Sequence, residues 1–402
     1  MMSILRYAIA VPLVAVLAAG AVGDSIFDQR GLGTDVIPTV GDSKVLAGAV
    51  IAARDPLSCS ILSPFGAALA DKITLGTGFS HMGTKSRSAG EEKRTVTTLF
   101  PSATLTVPVN RFALMTGLFV EKQGRLSLTR TDIAYSDEIY DIDYRVESSI
   151  HSVPVFASVP LFTSGATRPM LIVSGGILFS FLDIRERTVT DFASNDFYDA
   201  DDVHDTYATG KSFAGGVLVD LGRVRLAALF RTGTDLDATL ESESKYAGIW
   251  HTEDLTISSD QAFSGGLWVG PTRYLSLEAD YYASPWDHLE FAGTPVTARD
   301  VERWSVGVKY RGDHLWRGRK YPLMAGYYRQ PLAWESDLIG EITEEFWSLG
   351  TSIPIGGDRA SITVSVEAGR REAKDTDEVH ETIYGFSLSI SALEAWHREI
   401  RR

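Results

Sequence analysis

From about residue 72 onward, apolar and polar side chains alternate through most of the chain. Between residues 223 and 231, Val224, Leu226, Ala228 and Phe230 fall on one face, and Arg225 and Arg231 on the other. Leu275, Leu277, Ala279 and Tyr281 oppose Ser276, Glu278 and Asp280. Trp304, Val306, Val308 and Tyr310 oppose Ser305, Lys309 and Arg311. Ile362, Val364 and Val366 oppose Thr363, Ser365 and Glu367, and Tyr384, Phe386, Leu388 and Ile390 oppose Gly385, Ser387 and Ser389. A period of two puts each set on one side of a sheet. Long helical periodicity is almost absent. The pattern predicts an all-β chain of about fourteen strands, near 72–83, 95–107, 111–127, 143–162, 169–184, 209–220, 223–238, 253–269, 273–290, 300–311, 320–333, 342–354, 359–371 and 379–391.

Alternation alone fits a soluble sandwich as well as a membrane barrel. Two features favour an antiparallel transmembrane β-barrel. Short turn signals at Pro108-Val109-Asn110, Asp220-Leu221-Gly222, Gly270-Pro271-Thr272 and Gly356-Gly357-Asp358 alternate with long polar links, such as 131–143, 186–207 and 372–378. Tight turns at one end and long loops at the other are the habit of outer-membrane barrels. Aromatics also gather near strand ends, at Tyr281, Tyr282, Trp304, Tyr310, Tyr327, Tyr328, Phe346 and Trp347, where interfacial girdles belong. Closure is required, because an open edge in hydrocarbon strands its backbone groups. An even strand number puts both termini on the periplasmic side.

The N-terminus is organised differently. Residues 1–23 carry Arg6, the apolar run Ala8–Ala19 and small residues at Ala19-Gly20-Ala21 and Ala21-Val22-Gly23, the layout of a cleaved secretory signal. Residues 24–71 are Gly-rich and weakly patterned, yet hold Val45, Leu46, Val50, Ile51, Leu57, Ile61 and Leu62. That apolar content predicts burial, as a plug inside the barrel. The barrel then runs over 72–391, with 392–402 as a periplasmic extension holding Trp396.

Composition narrows the function. The 402 residues have a formal net charge of −14, which argues against a nucleic-acid partner, and 44% are hydrophobic, which excludes a mainly disordered chain. The one cysteine, Cys59, excludes a disulfide scaffold and any multi-Cys metal site. G-x-S-x-G, H-E-x-x-H and phosphate-loop motifs are absent, so no enzyme, cofactor or metal centre is expected. Asp196, Asp199, Asp201, Asp202 and Asp205 crowd one polar link, but without the glycine and terminal glutamate of a calcium loop, and a solvated loop is the expectation.

Arg30-Gly31-Leu32-Gly33, Ala47-Gly48-Ala49, Asp55-Pro56-Leu57-Ser58 and Ser63-Pro64-Phe65, in that order ahead of about fourteen strands, make the chain resemble the FadL-type outer-membrane transport barrels. Where that family usually shows Asn-Pro-Ala, this chain has Ser63-Pro64-Phe65. The resemblance implies a fourteen-stranded barrel with an N-terminal hatch, which includes Gly31, Gly33, Gly48, Ser63 and Pro64 here. It implies passive uptake of hydrophobic small molecules such as long-chain fatty acids across a Gram-negative-type outer membrane, with outer-membrane lipid and the barrel-assembly machinery as partners. It also implies a kink in the third strand that opens the wall sideways. Gly117 and Gly124 are the glycines there that would permit one.

The predicted lumen has two halves. Strands three to five are apolar on both faces, so the inner face meets either the plug or a ligand; Met115, Phe119, Leu171, Val173, Ile177 and Phe179 are the candidates for a ligand pocket. Later strands face inward with Arg225, Arg231, Glu278, Asp280, Lys309, Arg311 and Glu367, which predicts a cross-lumen ion-pair network. Arg225 or Arg311 would alternatively hold a carboxylate headgroup, since a guanidinium matches a carboxylate in bidentate fashion. Besides uptake, a scaffold barrel that binds another protein and an open porin for polar solutes remain as readings.

Overall fold

In the computed structural model the described residues are Ser25 and 33–38, 40–88, 91–135, 138–164, 168–193, 199–245, 248–259, 261–284, 290–291, 294–295, 299–311, 315–316, 319–336, 340–355, 360–374 and 379–394. The expected signal segment, Gly31, Asp196 and residues 395–402 with Trp396 lie outside them.

Alternating residues fold into fourteen antiparallel barrel strands. These are β1 (Ile73–Ser88), β2 (Glu91–Leu99 continuing as Ser102–Val109), β3 (Phe112–Tyr135), β4 (Glu138–Ser164), β5 (Arg168–Phe192), β6 (Ala200–Asp220) and β7 (Val224–Arg231 continuing as Thr234–Ser244). They continue as β8 (Gly248–Ser259 and Ala262–Val269), β9 (Leu275–Ser284), β10 (Val301–Tyr310), β11 (Leu323–Ser336), β12 (Gly340–Ile355), β13 (Ala360–Ala373) and β14 (His380–Glu394). Each strand pairs with its sequence neighbours, and β14 returns to β1 from Ile73↔Glu394 to Arg87↔His380, which closes the ring. Every expected strand has one counterpart.

The expected asymmetry of short turns and long loops takes another form. The described residues of the links 131–143 and 186–207 are mostly strand, not loop: β3, β4 and β5 run for 24, 27 and 25 residues, against 10 each for β9 and β10. Roughly 9 to 11 residues cross a bilayer, so β3–β8 rise well past it at their far ends. Cross-strand ion pairs let the ladder continue through polar sequence. Arg187 grips Asp201 with bonds of 2.8 and 2.7 Å, and Arg125 meets Glu147 at 3.2 Å. Leu126, Val146, Leu182, Ile184, Leu236 and Leu255 fill the inside of this extension. Asp201 is thus spoken for, and among the described residues no group of three metal-ligating side chains forms.

The outer surface carries an exposed apolar belt, with Leu114, Phe213, Phe230, Val306, Leu349, Val366 and Phe386 each at least 41% exposed. A soluble surface would not leave such a belt uncovered; a bilayer covers it. Tyr281 packs on Trp304 and Tyr327 on Trp347 at its edge, with ring centroids 4.5 and 4.4 Å apart. Their neighbours Tyr282, Tyr328 and Phe346, also expected in the girdle, point inward, as the pleat demands of adjacent residues.

Residues 40–70 form short turns, among them one helical turn, Asp42–Val45, and a 3-10 segment, Pro64–Leu69. They are bonded to inward-facing groups around the ring. Ser158 on β4 donates to the Pro64 carbonyl (2.9 Å), Ser348 on β12 to that of Val45 (2.6 Å) and Ser391 on β14 to that of Leu57 (2.8 Å). Asp280 on β9 accepts from the backbone N–H groups of Val50 and Ile51, and Lys309 on β10 pairs with Asp42.

Candidate functional site

The wall has a seam. β2 and β3 pair only from Ser102↔Phe119 to Val109↔Phe112. Beyond that, a bulge at Glu121 shifts the register of β3 against β4, and a second irregularity at Phe100–Pro101 separates the two parts of β2. The β2-side edge of β3 is completed by the N-terminal segment instead. Val36 N–H donates to the Glu121 carbonyl (2.8 Å), Asp35 and Thr34 pair with Lys122 and Gln123, and Ser25 N–H reaches the Arg125 carbonyl (3.0 Å). Gly33 makes this contact possible: its φ is +74°, and a Cβ there would sit 2.4 Å from the Gln123 carbonyl carbon. Across the outer part of the seam, Lys93 donates to the Ser127 carbonyl at 3.0 Å.

A cavity lies on each side of the Asp35–Val36 strip. The first, of about 130 Å³, is bounded by β3–β10 and by Val36, Ile61 and Leu62. Its wall is largely apolar, with Phe156, Leu178, Leu182, Leu229, Leu236 and Ile257. The charged side chains on it are Asp35, Glu121, Lys122, Arg231 and Arg303. Asp35 pairs with Lys122 (2.7 Å) and Glu121 with Arg231 (2.6 Å). Arg303 is left over. It is 6% exposed, its guanidinium lies 5.0 Å from the Tyr282 ring centre, and among the described residues no carboxylate pairs with it. Its electrostatic neighbour Asp280 takes the N–H groups of Val50 and Ile51 on Oδ2, and its buried Oδ1 makes no hydrogen bond among the described residues.

The second cavity, of about 120 Å³, lies between the strip and β11–β2, and Thr97 and Leu99 on its wall belong to the seam. It is polar. Arg371 donates to Glu344 (2.6 Å) and Glu381 (3.1 Å); Tyr328 and Gln330 also donate to Glu344, and Ser25 and Ser86 to Glu381. Lys44 pairs with Glu367 at 3.3 Å. These bonds tie the N-terminal segment to β1 and β11–β14.

Burial also acts on the segment itself. It pushes the Cys59 thiol up from 9.0 to about 12, helped by the neighbouring Asp55 charge. Asp55 is itself raised, first by burial and then by Asp42.

The expected site residues are dispersed. Met115 and Phe119 are fully buried inside, but pack with Ile61, Leu62 and Ala67 rather than on the first cavity's wall. Phe179 is 41% exposed, and Leu171, Val173 and Ile177 share its outward face; the inward residues of β5 are Ile172, Leu178 and Leu182. Both faces of β5 are apolar, so apolarity cannot tell them apart. Ser174 and Ser180 do, because they sit beside Ile172 and Leu178, bonded to Ser158 and Ser152. Arg225 faces inward but lies by the β6–β7 turn, against Asp220 (3.3 Å) and 3.7 Å from the Trp268 ring centre. Arg311 follows β10 and is exposed. Neither arginine reaches either cavity. The β3 bulge falls at Glu121, between Gly117 and Gly124, not at either glycine; Gly117 pairs regularly with Thr104, where a Cβ would strike the Ala103 carbonyl at 2.2 Å, and Gly124 pairs with Ser148. Gly48 is left-handed (φ +78°) against Ile37, and Ser63 and Pro64 are buried at the start of the 3-10 segment.

No family model and no curated protein matches the chain. Solved structures do. A Pseudomonas aeruginosa FadL homologue aligns over 91% of this chain and 100% of its own, at a TM-score of 0.59 and 14% identity. The Pseudomonas putida toluene transporter TodX and the CymD monoaromatic hydrocarbon channel each align over 92% of this chain and 100% of theirs, at 0.55 and 13% identity. The chain shares the fold of these barrels.

Proposed function

We propose that this barrel sits in the outer membrane, with both termini periplasmic, and takes up compact hydrophobic molecules by passive transport. The observation that carries the reading is the apolar cavity beside the β2–β3 seam, closed off by a strip of the chain's own N-terminal segment. The described neighbours include a toluene transporter and a monoaromatic hydrocarbon channel, which supports hydrophobic cargo. At about 130 Å³ the cavity is close to the roughly 150 Å³ apolar cavity that binds benzene in an engineered protein. A single ring fits; an extended long-chain fatty acid does not fit whole.

Residues 24–70 act as a plug in this reading. Cargo resting in the first cavity leaves when Thr34–Val36 lifts from the β3 edge, which joins the two cavities and opens the seam toward the bilayer. Arg303, which forms no ion pair among the described residues, takes the polar end of a cargo that has one. That role replaces the one expected of Arg225 or Arg311.

Two measurements test the proposal. The mature chain in a planar bilayer is expected to be silent, and to conduct once residues 24–66 are deleted. Cells that depend on it are expected to take up labelled toluene faster than cells without it. Steady ohmic conductance from the intact chain, or toluene uptake equal to that of empty cells, overturns it.

A further inference from the structure

On β12, β13 and β14 the outward side chains from Trp347 to Ile355, from Ala360 to Ala368 and from Tyr384 to Ala392 are apolar, aromatic or small. Each stretch has the length that crosses hydrocarbon, roughly 9 to 11 residues. The next outward residues toward the far end form one row of directly opposed positions: Arg329 on β11, Glu345, Arg370, Thr382, then Lys85 on β1 and Arg94 on β2. This row therefore begins where the apolar belt stops.

The row is cationic. Glu345 sits between Arg329 (3.5 Å) and Arg370 (3.1 Å), and Glu92 between Lys85 (2.7 Å) and Arg94 (2.9 Å). Arg370 also meets Glu372 (3.0 Å), and Arg87 stands opposite Glu92 in the next row. Five cations thus face three carboxylates, in a chain whose net charge is −14. The three arginines of the row stand outside its bridging carboxylates: the side chains of Arg329, Arg370 and Arg94 are 62%, 57% and 72% exposed, against 19% for Glu345 and 39% for Glu92, while Lys85 (43%) and Glu372 (52%) lie between. Glu345 and Glu92 each hold two cations side by side, and beyond its bonds to Glu345 and Glu372 each terminal nitrogen of Arg370 keeps a second N–H for a further acceptor.

We propose that this row is a docking site for the phosphate groups of an acylated, phosphorylated outer-leaflet glycolipid. A planar guanidinium matches phosphate oxygens in bidentate fashion, and exposed carboxylate bridges contribute too little to compete with it. The aromatic rings of Tyr327, Trp347 and Tyr384, one outward position inside the row, lie at the level that interfacial aromatics occupy, so acyl chains fall against the belt as the phosphates reach the row. Among the described residues the opposite half of the barrel lacks this arrangement. Past its apolar run β5 presents Asp183, and β7 presents Asp235 and Asp237, while Arg185 and Arg187 are paired with Asp205 and Asp201. The lipid therefore docks on β11–β2 and leaves the flank of β5–β8 free of it. The inference rests on the outer-membrane placement proposed above, not on the identity of the cargo.

The test uses the full-length protein in detergent, with a diphosphorylated hexa-acyl disaccharide lipid and its dephosphorylated counterpart, and counts bound lipid by native mass spectrometry. The expected result is at least tenfold preference for the phosphorylated lipid, lost in Arg329→Gln/Arg370→Gln and weakened in Lys85→Gln/Arg94→Gln. Toluene uptake by both variants stays as in the parent, which separates this site from the transport reading. Equal binding of the two lipids, or full retention by a double variant, overturns the proposal. A second arm needs no variant: raising salt strips the phosphorylated lipid from the parent protein, whereas salt-insensitive binding overturns it. Displacement of the lipid by equimolar inorganic phosphate also overturns it, as a plain anion site lacking the acyl contact.

Discussion

The two halves of the lumen hold the N-terminal segment by different means. Along β9–β14 the inner wall offers Asp280, Lys309, Glu344, Glu367, Arg371 and Glu381, and most of them bond the segment or brace the groups that do. Along β3–β8 the bonds are fewer, from β3 to Thr34–Val36, from Ser158 to Pro64 and from Asp220 to Arg54, and the rest of the wall offers Phe119, Phe156, Leu178, Leu229 and Leu236, which touch the segment or face empty space. Directional bonds fix a position; apolar contact only fills volume. The segment is bolted closely on one side and, apart from those few bonds, leans on the other, so the side it leans on is where a small apolar molecule can take its place.

The strongest way to break this contrast is to cut a bolt. Arg371→Met leaves Glu344 and Glu381 buried without their cation, a loss of about 3–5 kcal/mol for such a broken pair. The expected outcome is a channel that conducts with the segment still attached; a silent variant of unchanged thermal stability would place the bolt elsewhere. Next in size is Arg303→Met, which removes a charge-assisted contact of about 1.5–3 kcal/mol. Benzoate affinity is expected to fall tenfold to a hundredfold while toluene affinity holds, as read by calorimetry; an equal fall for both would make Arg303 structural. Filling the leaning side should stop transport with the bolts intact. Ala214→Phe projects a ring into the first cavity and is expected to cut toluene uptake about tenfold, with conductance still silent. By contrast Arg311→Gln, exposed past the end of β10, is expected to change neither reading.

The smallest effect is in alkali. The folded Cys59 thiol titrates near 12 rather than 9.0, because burial disfavours the thiolate. A raised pKa means the folded state holds its proton more tightly. The contribution is fully present below about pH 9 and is lost as pH rises toward about 12. Thiol reagents are therefore expected to leave the folded protein unmodified at pH 8, and Cys59→Ala to lessen the alkaline loosening of the segment, followed by conductance after an alkaline wash.

Strand number and pairing were legible because membrane crossing imposes the period of two on every strand. The extent of β3–β8 was not, since charged residues that read as loop continue a ladder when their partners across the sheet carry the opposite sign, as Arg187 and Asp201 do. Apolar composition misled on β5, where lipid and lumen ask for similar side chains and only Ser174 and Ser180 mark the inside. Arg303 was within reach of the pattern: counting back two from Ser305 puts it on the inward face with Lys309. That it forms no ion pair among the described residues depends on which residues meet across the lumen, and no local pattern carries that. The β3 bulge also left a trace, because Phe119 and Val120 are both buried and break the alternation just before Glu121.

The seam has a consequence for the order in which the molecule is put together. The edge of β3 is finished by residues that precede β1 in the chain, and the same stretch is bonded to β4, β9, β10, β12 and β14. Once β14 meets β1 the ring is shut, and a stretch of that size has no side entrance wide enough to thread. Entry after closure is left to the open ends of the barrel, whereas a stretch lodged before closure is a mould around which the strands gather. Supplied later as a separate peptide to a refolded ring, it tells the two apart: restored silence means entry by an end, and continued conductance means the mould.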